Sequence, residues 1–237
     1  MQRRKTMKVA IVGCGFAGLS AALFLSRKNH AITLYDKFSD IKTAGAGILI
    51  QPSSMVVLKA LGLFDQLIAK GERIDVLLGL NHKKKQVFAT RYSDYDDISF
   101  GVGIHRSFLF DTLYQACREQ QNIQFVLGTD ILSLAQLGAG FDLVIVANGS
   151  HSELRKELPI QQRYRPYPYG CAWATVEDET TTLNKLQQYV YYSQQMFGML
   201  PSGRQGGKRL LSVFWSLPIT QRDTYSKEEM FLAMEKH

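Results

Sequence analysis

At 237 residues the chain is long enough to bury a substantial core, as one large domain or two small ones. Its 46% hydrophobic and 21% charged residues are those of an ordinary globular protein and exclude a disordered or collagen-like chain. A formal charge of +7 invites a nucleic-acid reading, but the basic residues are scattered; Arg3-Arg4-Lys5 and Lys83-Lys84-Lys85 are the only runs, and nucleic acid is not an expected partner. The same balance suits attraction of an anionic cofactor or an acidic substrate.

Cys14, Cys117 and Cys171 are odd in number, widely spaced and match no metal spacing. That points to a reducing, cytoplasmic setting without disulfides or a metal site. The basic start followed by an apolar run to Leu25 imitates a secretory signal. The spaced glycines inside that run, and the lack of a small-x-small cleavage pattern before the next strand, favour a cytosolic βαβ start. No other apolar run is long enough to span a bilayer.

In chain order, Val9-Ala10-Ile11-Val12 reads as a buried strand, followed by Gly13-x-Gly15-x-x-Gly18 and the helix-forming segment Leu19 to Leu25. In that context Gly13 makes the tight turn, Gly15 admits a pyrophosphate close to the backbone, and Gly18 lets the helix pack on the sheet. The amides of Phe16, Ala17 and Gly18 begin a helix whose positive end holds phosphate. Cys14 reads as a small filler between glycines. A second strand, Ala31 to Tyr35, ends in Asp36-Lys37; the carboxylate lies where it accepts hydrogen bonds from a ribose diol.

Residues 37–51 read as a loop containing Gly45-Ala46-Gly47 and Ile48-Leu49-Ile50. Pro52-Ser53-Ser54 opens a helix ended by Gly62, and a short amphipathic piece spans Phe64 to Ala69. Strands are expected at Ile74–Leu80 and Gln86–Arg91 around the polar turn at 81–85. After Gly101–Ile104 comes His105-Arg106, then Ser107 as the expected cap of a helix to Gln120. Strands follow at Ile123–Leu127 and Asp130–Leu134. Phe141 to Ala147 reads as another buried parallel strand, ending in Asn148-Gly149-Ser150 before a short helix at Glu153-Leu154-Arg155.

From about residue 160 aromatic-rich strands take over: Tyr169–Val176, Gln188–Tyr192, Met196–Leu200 and Arg209–Leu217. The turn Pro201 to Gly207 joins the last two. They form a mostly antiparallel second lobe that includes the pair at 74–91. Tyr167, Tyr169, Trp173 and Tyr191 read as core of that lobe more than as pocket lining. A last helix is expected from about Tyr225 to His237. The fold class is therefore α/β: a Rossmann-like parallel sheet with a mostly antiparallel β lobe.

Placed in this order, the pieces resemble the FAD-dependent aromatic hydroxylases, the flavoprotein monooxygenases of the p-hydroxybenzoate hydroxylase type. Four landmarks carry the resemblance. They are Gly13-x-Gly15-x-x-Gly18 with Asp36; Gly45-x-Gly47-Ile48 with Pro52 and Leu61-Gly62-Leu63; His105-Arg106; and Ala147-Asn148-Gly149 with Ser152 and Arg155. The Phe214-Trp215-Ser216-Leu217-Pro218 stretch is similar to the sheet that roofs the family's substrate pocket.

The resemblance implies that Gly13, Gly15, Phe16, Ala17, Gly18, Asp36 and Lys37 hold the ADP half of FAD, and that Arg106 reaches its phosphate and ribose. It implies that Gly47 and Ile48 pass the isoalloxazine edge, and that Asn148, Gly149 and Arg155 form a second fingerprint serving FAD and NAD(P)H. No side chain is nominated as catalytic, because the cofactor carries the oxygen chemistry. His105 and His151 read as structural or solvent-facing.

Three departures stand out. Asn148 replaces the family's Asp, the segment between Asp130 and Asp142 is shorter than the family's strand meander, and residues 200–237 lack the family's closing Gly-Asp-Ala-Ala-His type motif, so the expectation is a truncated form. The expected division is an FAD-binding domain of residues 1–72 and 101–158 and a substrate lobe of 73–100 and 159–237. The implied activity is NAD(P)H- and O2-dependent hydroxylation of a small aromatic or related substrate. A homo-oligomer or a complementing C-terminal fragment are the protein partners left open. A non-catalytic remnant with weak or no nucleotide binding, and an FAD-dependent oxidase or dehydrogenase, share the nucleotide motifs. His105-Arg106 together with the Ala-Asn-Gly turn favours the hydroxylase over the oxidase.

Overall fold

A computed structural model of the chain describes residues 5–41, 45–179, 184–192 and 195–220; the helix expected over 225–237 lies outside them. The chain divides into two compact units, Met1–Thr43 with Phe110–Arg163, and Ala44–Leu109 with Tyr164–His237. Residues 45–72 and 101–109 thus cluster with the second unit, whereas the sequence reading grouped them with the first.

The first unit is built on a parallel sheet. Strand β1 (Lys8–Val12) leads through the turn into helix α1 (Phe16–Ser26) and back to β2 (Ala31–Asp36). Four of β1's five residues are buried, and the parallel register pairs Lys8 with Ala31 and Val12 with Tyr35. Helix α1 buries Leu19 and Leu23 almost completely, each worth about 1.5–3 kcal/mol of apolar burial.

The second unit starts with β3 (Gly47–Ile50), α2 (Pro52–Ala60) and α3 (Phe64–Ile68). It continues through β4 (Glu72–Ile74), β5 (Val76–Asn81), β6 (Gln86–Arg91) and β7 (Gly101–His105). The first unit resumes along α4 (Arg106–Arg118), then β8 (Ile123–Leu127) and β9 (Leu143–Val146). Strands β8, β2, β1 and β9 hydrogen-bond in that order, all parallel. Since β9 lies beyond β1 on the side away from β2, the connections diverge beside β1. That is the switch point where open α/β sheets take ligands at their carboxyl ends. Ala10 and Val12 pack on one face with Ile131, Leu137 and Leu154.

The remaining strands belong to the second unit: β10 (Tyr169–Glu177), β11 (Lys185–Tyr191), β12 (Gln195–Gln205) and β13 (Lys208–Pro218). With β5 and β6 they make a six-stranded sheet in the order β10-β13-β12-β11-β5-β6, antiparallel except at β11–β5. Strands β3, β7 and β4 form a small antiparallel sheet. The expected fold class holds.

Several local expectations do not. Ile48-Leu49-Ile50 is strand rather than loop, because β7 supplies its partner. Strand β9 is parallel but not buried: it is the sheet edge among the described residues, and Leu143 is 38% exposed. The run at 74–80 breaks at Asp75, whose amide bonds the Asn184 carbonyl, so Ile74 joins the small sheet and Val76 the large one. No strand forms at 130–134. There Ser133 and Gln136 make a reciprocal capping box for a 3-10 turn at Leu134–Leu137.

The turn expected at 201–207 shrinks to Gly206-Gly207. Both glycines have positive φ, as a tight two-residue hairpin requires, and β12 runs on to Gln205. Of the aromatics read as core, Tyr167, which precedes β10, is 74% exposed, and Trp173 is 49% exposed because β10 is the outer strand of its sheet among the described residues.

Gly18 is the tightest point of the βα unit: a Cβ there would lie 1.9 Å from the Gly13 carbonyl oxygen. Gly18→Ala is expected to cost about 1–3 kcal/mol of stability, measured by urea denaturation, with Gly15→Ala, whose Cβ meets nothing within 4 Å, as the neutral control.

Candidate functional site

Three backbone turns meet at the carboxyl ends of β1, β2 and β9. Gly13 leaves β1 at φ +110°, and a Cβ on it would lie 2.4 Å from the Ala147 carbonyl oxygen, so the turns after β1 and β9 touch directly. The Gly13 amide donates to the Tyr35 carbonyl at 2.8 Å, and the Ala147 amide to that of Val12 at 2.7 Å. Asp36, at the end of β2, accepts the Cys14 amide at 2.7 Å on one carboxylate oxygen and the Phe38 amide at 3.0 Å on the other. The acid thus stands beside the glycine turn, with lone pairs left for a ligand.

Between these turns lies a cleft of about 420 Å³. Gly13, Gly15, Asp36, Lys37, Asn148 and Gly149 all line it, as does Val12. The sequence reading missed one wall, Thr129-Asp130-Ile131-Leu132, together with Phe38 and His151. The Thr129 amide bonds the Asp36 carbonyl at 2.9 Å, which seats that segment at the end of β2. The signal that locates this wall was the Ser133-x-x-Gln136 capping pattern, which marks 129–132 as loop. His151, read as structural or solvent-facing, borders the cleft. Glu153, also on its rim, pairs with Lys156, which holds its carboxyl below the usual carboxylate range.

Phe16, Ala17 and Gly18 form the first turn of α1, where helical geometry provides no intrahelical acceptor for the amides. No side chain caps that end, and no acidic residue occupies its first turn. Cys14 is buried, and burial, then the Asp36 charge, push its thiol far above the usual range; it is a filler, as expected.

Gly47, Ile48 and Arg106 belong to the second unit. Gly47 pairs with His105 in the β3–β7 register, and the Arg106 amide bonds the Ala46 carbonyl at 3.1 Å. The Arg106 side chain lies over Gly45, where a Cβ would come 2.9 Å from Cδ. Helix α4 starts at Arg106, so Ser107 lies within its first turn and does not cap it. His105 Nδ1 accepts the Ser107 amide at 3.3 Å and takes the capping role instead.

These features fit an adenine dinucleotide. Gly15 and Gly149 border the cleft with open space where a Cβ would stand, which is room for a diphosphate against the backbone. The Ser152 hydroxyl, in the turn after β9, is buried without a hydrogen-bond partner. Among the described residues no cluster of three His, Cys, Asp or Glu is placed to hold a metal, and no helix is long and apolar enough to cross a membrane.

Comparison with known proteins gives the same answer. The family model described as an FAD binding domain matches residues 6–140, more than half of the chain. The chain belongs to the FAD-binding flavoprotein monooxygenase family. It is 32% identical over 116 residues to 3-hydroxybenzoate 6-hydroxylase 1 of Aquipseudomonas alcaligenes, covering 47% of this chain and 29% of that protein. It is 24% identical over 198 residues to a putative 2-heptyl-3-hydroxy-4(1H)-quinolone synthase, AqdB1, of Rhodococcus erythropolis, covering 79% of this chain and 51% of that one.

Among solved structures, the tetrameric form of 2-methyl-3-hydroxypyridine-5-carboxylic acid oxygenase matches with a TM-score of 0.80 at 20% identity, over 98% of this chain and 65% of its own. The chain thus spans about half the length of the quinolone synthase relative and about two thirds of the solved oxygenase. The match to an FAD binding domain supports FAD as the cofactor.

Burial lowers the His105 pKa below its ordinary 6.5, opposed by a hydrogen bond with the Gly45 backbone. The folded state therefore favours the neutral ring, and its contribution to stability is present above pH 6.5 and is lost as pH falls below that value. Protonation also removes the Nδ1 lone pair that caps α4. Thermal melts from neutral pH down into the acid range are expected to show a stability loss that His105→Gln reduces.

Proposed function

We propose that this protein is an FAD-dependent monooxygenase that uses NAD(P)H and O2 to hydroxylate a small aromatic or related organic substrate. The observation that carries the reading is the cleft bounded by Gly13, Gly15 and Gly149 with the Asp36 carboxylate 2.7 Å from the Cys14 amide. The relative that acts on 3-hydroxybenzoate supports an aromatic substrate.

In this proposal the amides of Phe16, Ala17 and Gly18, the turn at Gly13 and the open face of Gly15 bind the diphosphate. Asp36 and Lys37 bind the adenosine ribose. Asn148 and Gly149 close the other side of the cleft, where Asn148 offers hydrogen bonds without adding a negative charge beside the phosphates. Gly47, Ile48 and Arg106 serve the flavin end and its phosphate. When bound, FAD supplies the redox and oxygen-activating chemistry, and these residues bind it, orient it and exclude water.

The test is spectroscopic. The purified protein is expected to bind FAD stoichiometrically with a yellow flavin spectrum, and Asp36→Ala to weaken that binding about tenfold or more, the worth of a charge-assisted hydrogen bond. Gly15→Ala, neutral for stability, is expected to weaken FAD as well. A protein that stays colourless with added FAD would instead be a non-catalytic relative. NADPH consumption stimulated by an aromatic acid separates a monooxygenase from an oxidase, which shows no such stimulation.

A further inference from the structure

The start of β3 is held from the large sheet of its own unit by a chain of buried hydroxyls. The Gly47 amide donates to Ser212 Oγ at 2.6 Å. Ser212 Oγ lies 2.8 Å from Ser202 Oγ, and the Ser202 hydroxyl donates to the Leu210 carbonyl at 3.4 Å. Read in that direction, each hydroxyl accepts once and donates once, and the chain ends on a backbone oxygen, so no polar atom in it is left over. Thr175 Oγ1 stands 3.5 Å from Ser212 on the opposite side.

Ser202 is 0% and Ser212 2% exposed. Two serines this deep in a β-sheet core are costly unless their hydroxyls are satisfied. Leu200 pairs with Ser212 and Pro201 with Leu211, so Ser202, two residues past Leu200, falls on the same face of the sheet as Ser212. Gly47 admits them: a Cβ there would lie 2.7 Å from Ser202 Cβ and 2.8 Å from Ser212 Oγ. On the other side of the same loop, the Ala46 carbonyl accepts the Arg106 amide and Gly45 underlies the Arg106 side chain.

We infer that Ser212 is a positioning residue: its hydroxyl, backed by Ser202, fixes the Gly45–Gly47 loop, and that loop in turn sets Arg106 for the flavin. The clamp stands on the geometry above, whereas its link to the cofactor rests on the reading that Gly47, Ile48 and Arg106 serve FAD. Neither serine is itself required to touch the cofactor.

Hydrogen–deuterium exchange of the full chain without ligand reads the clamp, and FAD titration reads the link. Ser212→Ala leaves the Gly47 amide without its acceptor, and exchange across residues 45–50 is expected to rise about fivefold to tenfold, the usual worth of one hydrogen bond. FAD affinity is expected to fall about fivefold, and Ser212→Thr, which retains the hydroxyl, to restore both.

Unchanged exchange in Ser212→Ala would overturn the clamp. Raised exchange with wild-type FAD affinity would overturn the link to the cofactor. If the wild-type protein binds no FAD, the proposed function fails while the exchange measurement still decides the clamp. Should Ser212→Ala not fold, Ser202→Ala removes the next acceptor along the chain. A smaller rise over the same segment is then expected, and none would overturn the relay.

Discussion

Close approach of backbone to backbone at Gly13 is the constraint on which the first unit turns. The β1 turn and the β9 turn touch with no side chain between them, since the Ala147 carbonyl fills the place a Cβ would need. Gly18 meets the Gly13 carbonyl in the same way from the helix side. Two missing side chains thus bring a strand end, a helix start and a neighbouring strand end to one point. Gly13, Gly15 and Gly149 of these turns border a cleft rather than a packed core. A phosphate group suits such a place because the partial charges are already oriented and need no reorganisation.

Asp36 is bound into that arrangement through the Cys14 amide. Its carboxylate both fixes the glycine turn and presents charge to the cleft, so one residue couples local folding to recognition. The neighbouring cysteine, a thiol at a helix start, would read as reactive on position alone. Burial and the adjacent carboxylate drive its pKa the other way, and the residue is inert filler.

The second unit solves a different problem with the same means. Its small sheet and its large sheet are joined where Gly47, Ser202 and Ser212 meet, and glycine is again the residue that lets polar atoms approach. Here the partner is a hydroxyl chain rather than a cofactor. Glu72 adds a second tie, with its carboxylate between Arg209 at 3.3 Å and Arg204 at 3.8 Å. Side chains of the aromatic strands divide by position: Trp215 on the inner strand β13 is buried, whereas Trp173 on the outer strand β10 is half exposed.

What the chain's residues determined alone was the βαβ start, its glycine spacing, the acid at the end of the second strand, and most strands of the large sheet. Each of those depends on nearest neighbours: β-branched runs, turn residues and helix formers. Tertiary structure decided the rest. Ile48-Leu49-Ile50 became strand only because β7 lies beside it, and the apolar run 143–146 became an edge because pairing order, not composition, sets which strand is outermost. The wall at 129–132 was placed by its hydrogen bond to the end of β2. Ser202 and Ser212, unremarkable in sequence, became a buried pair through the antiparallel pairing of β12 with β13. Such features depend on which distant segments meet, and a local pattern carries no record of that.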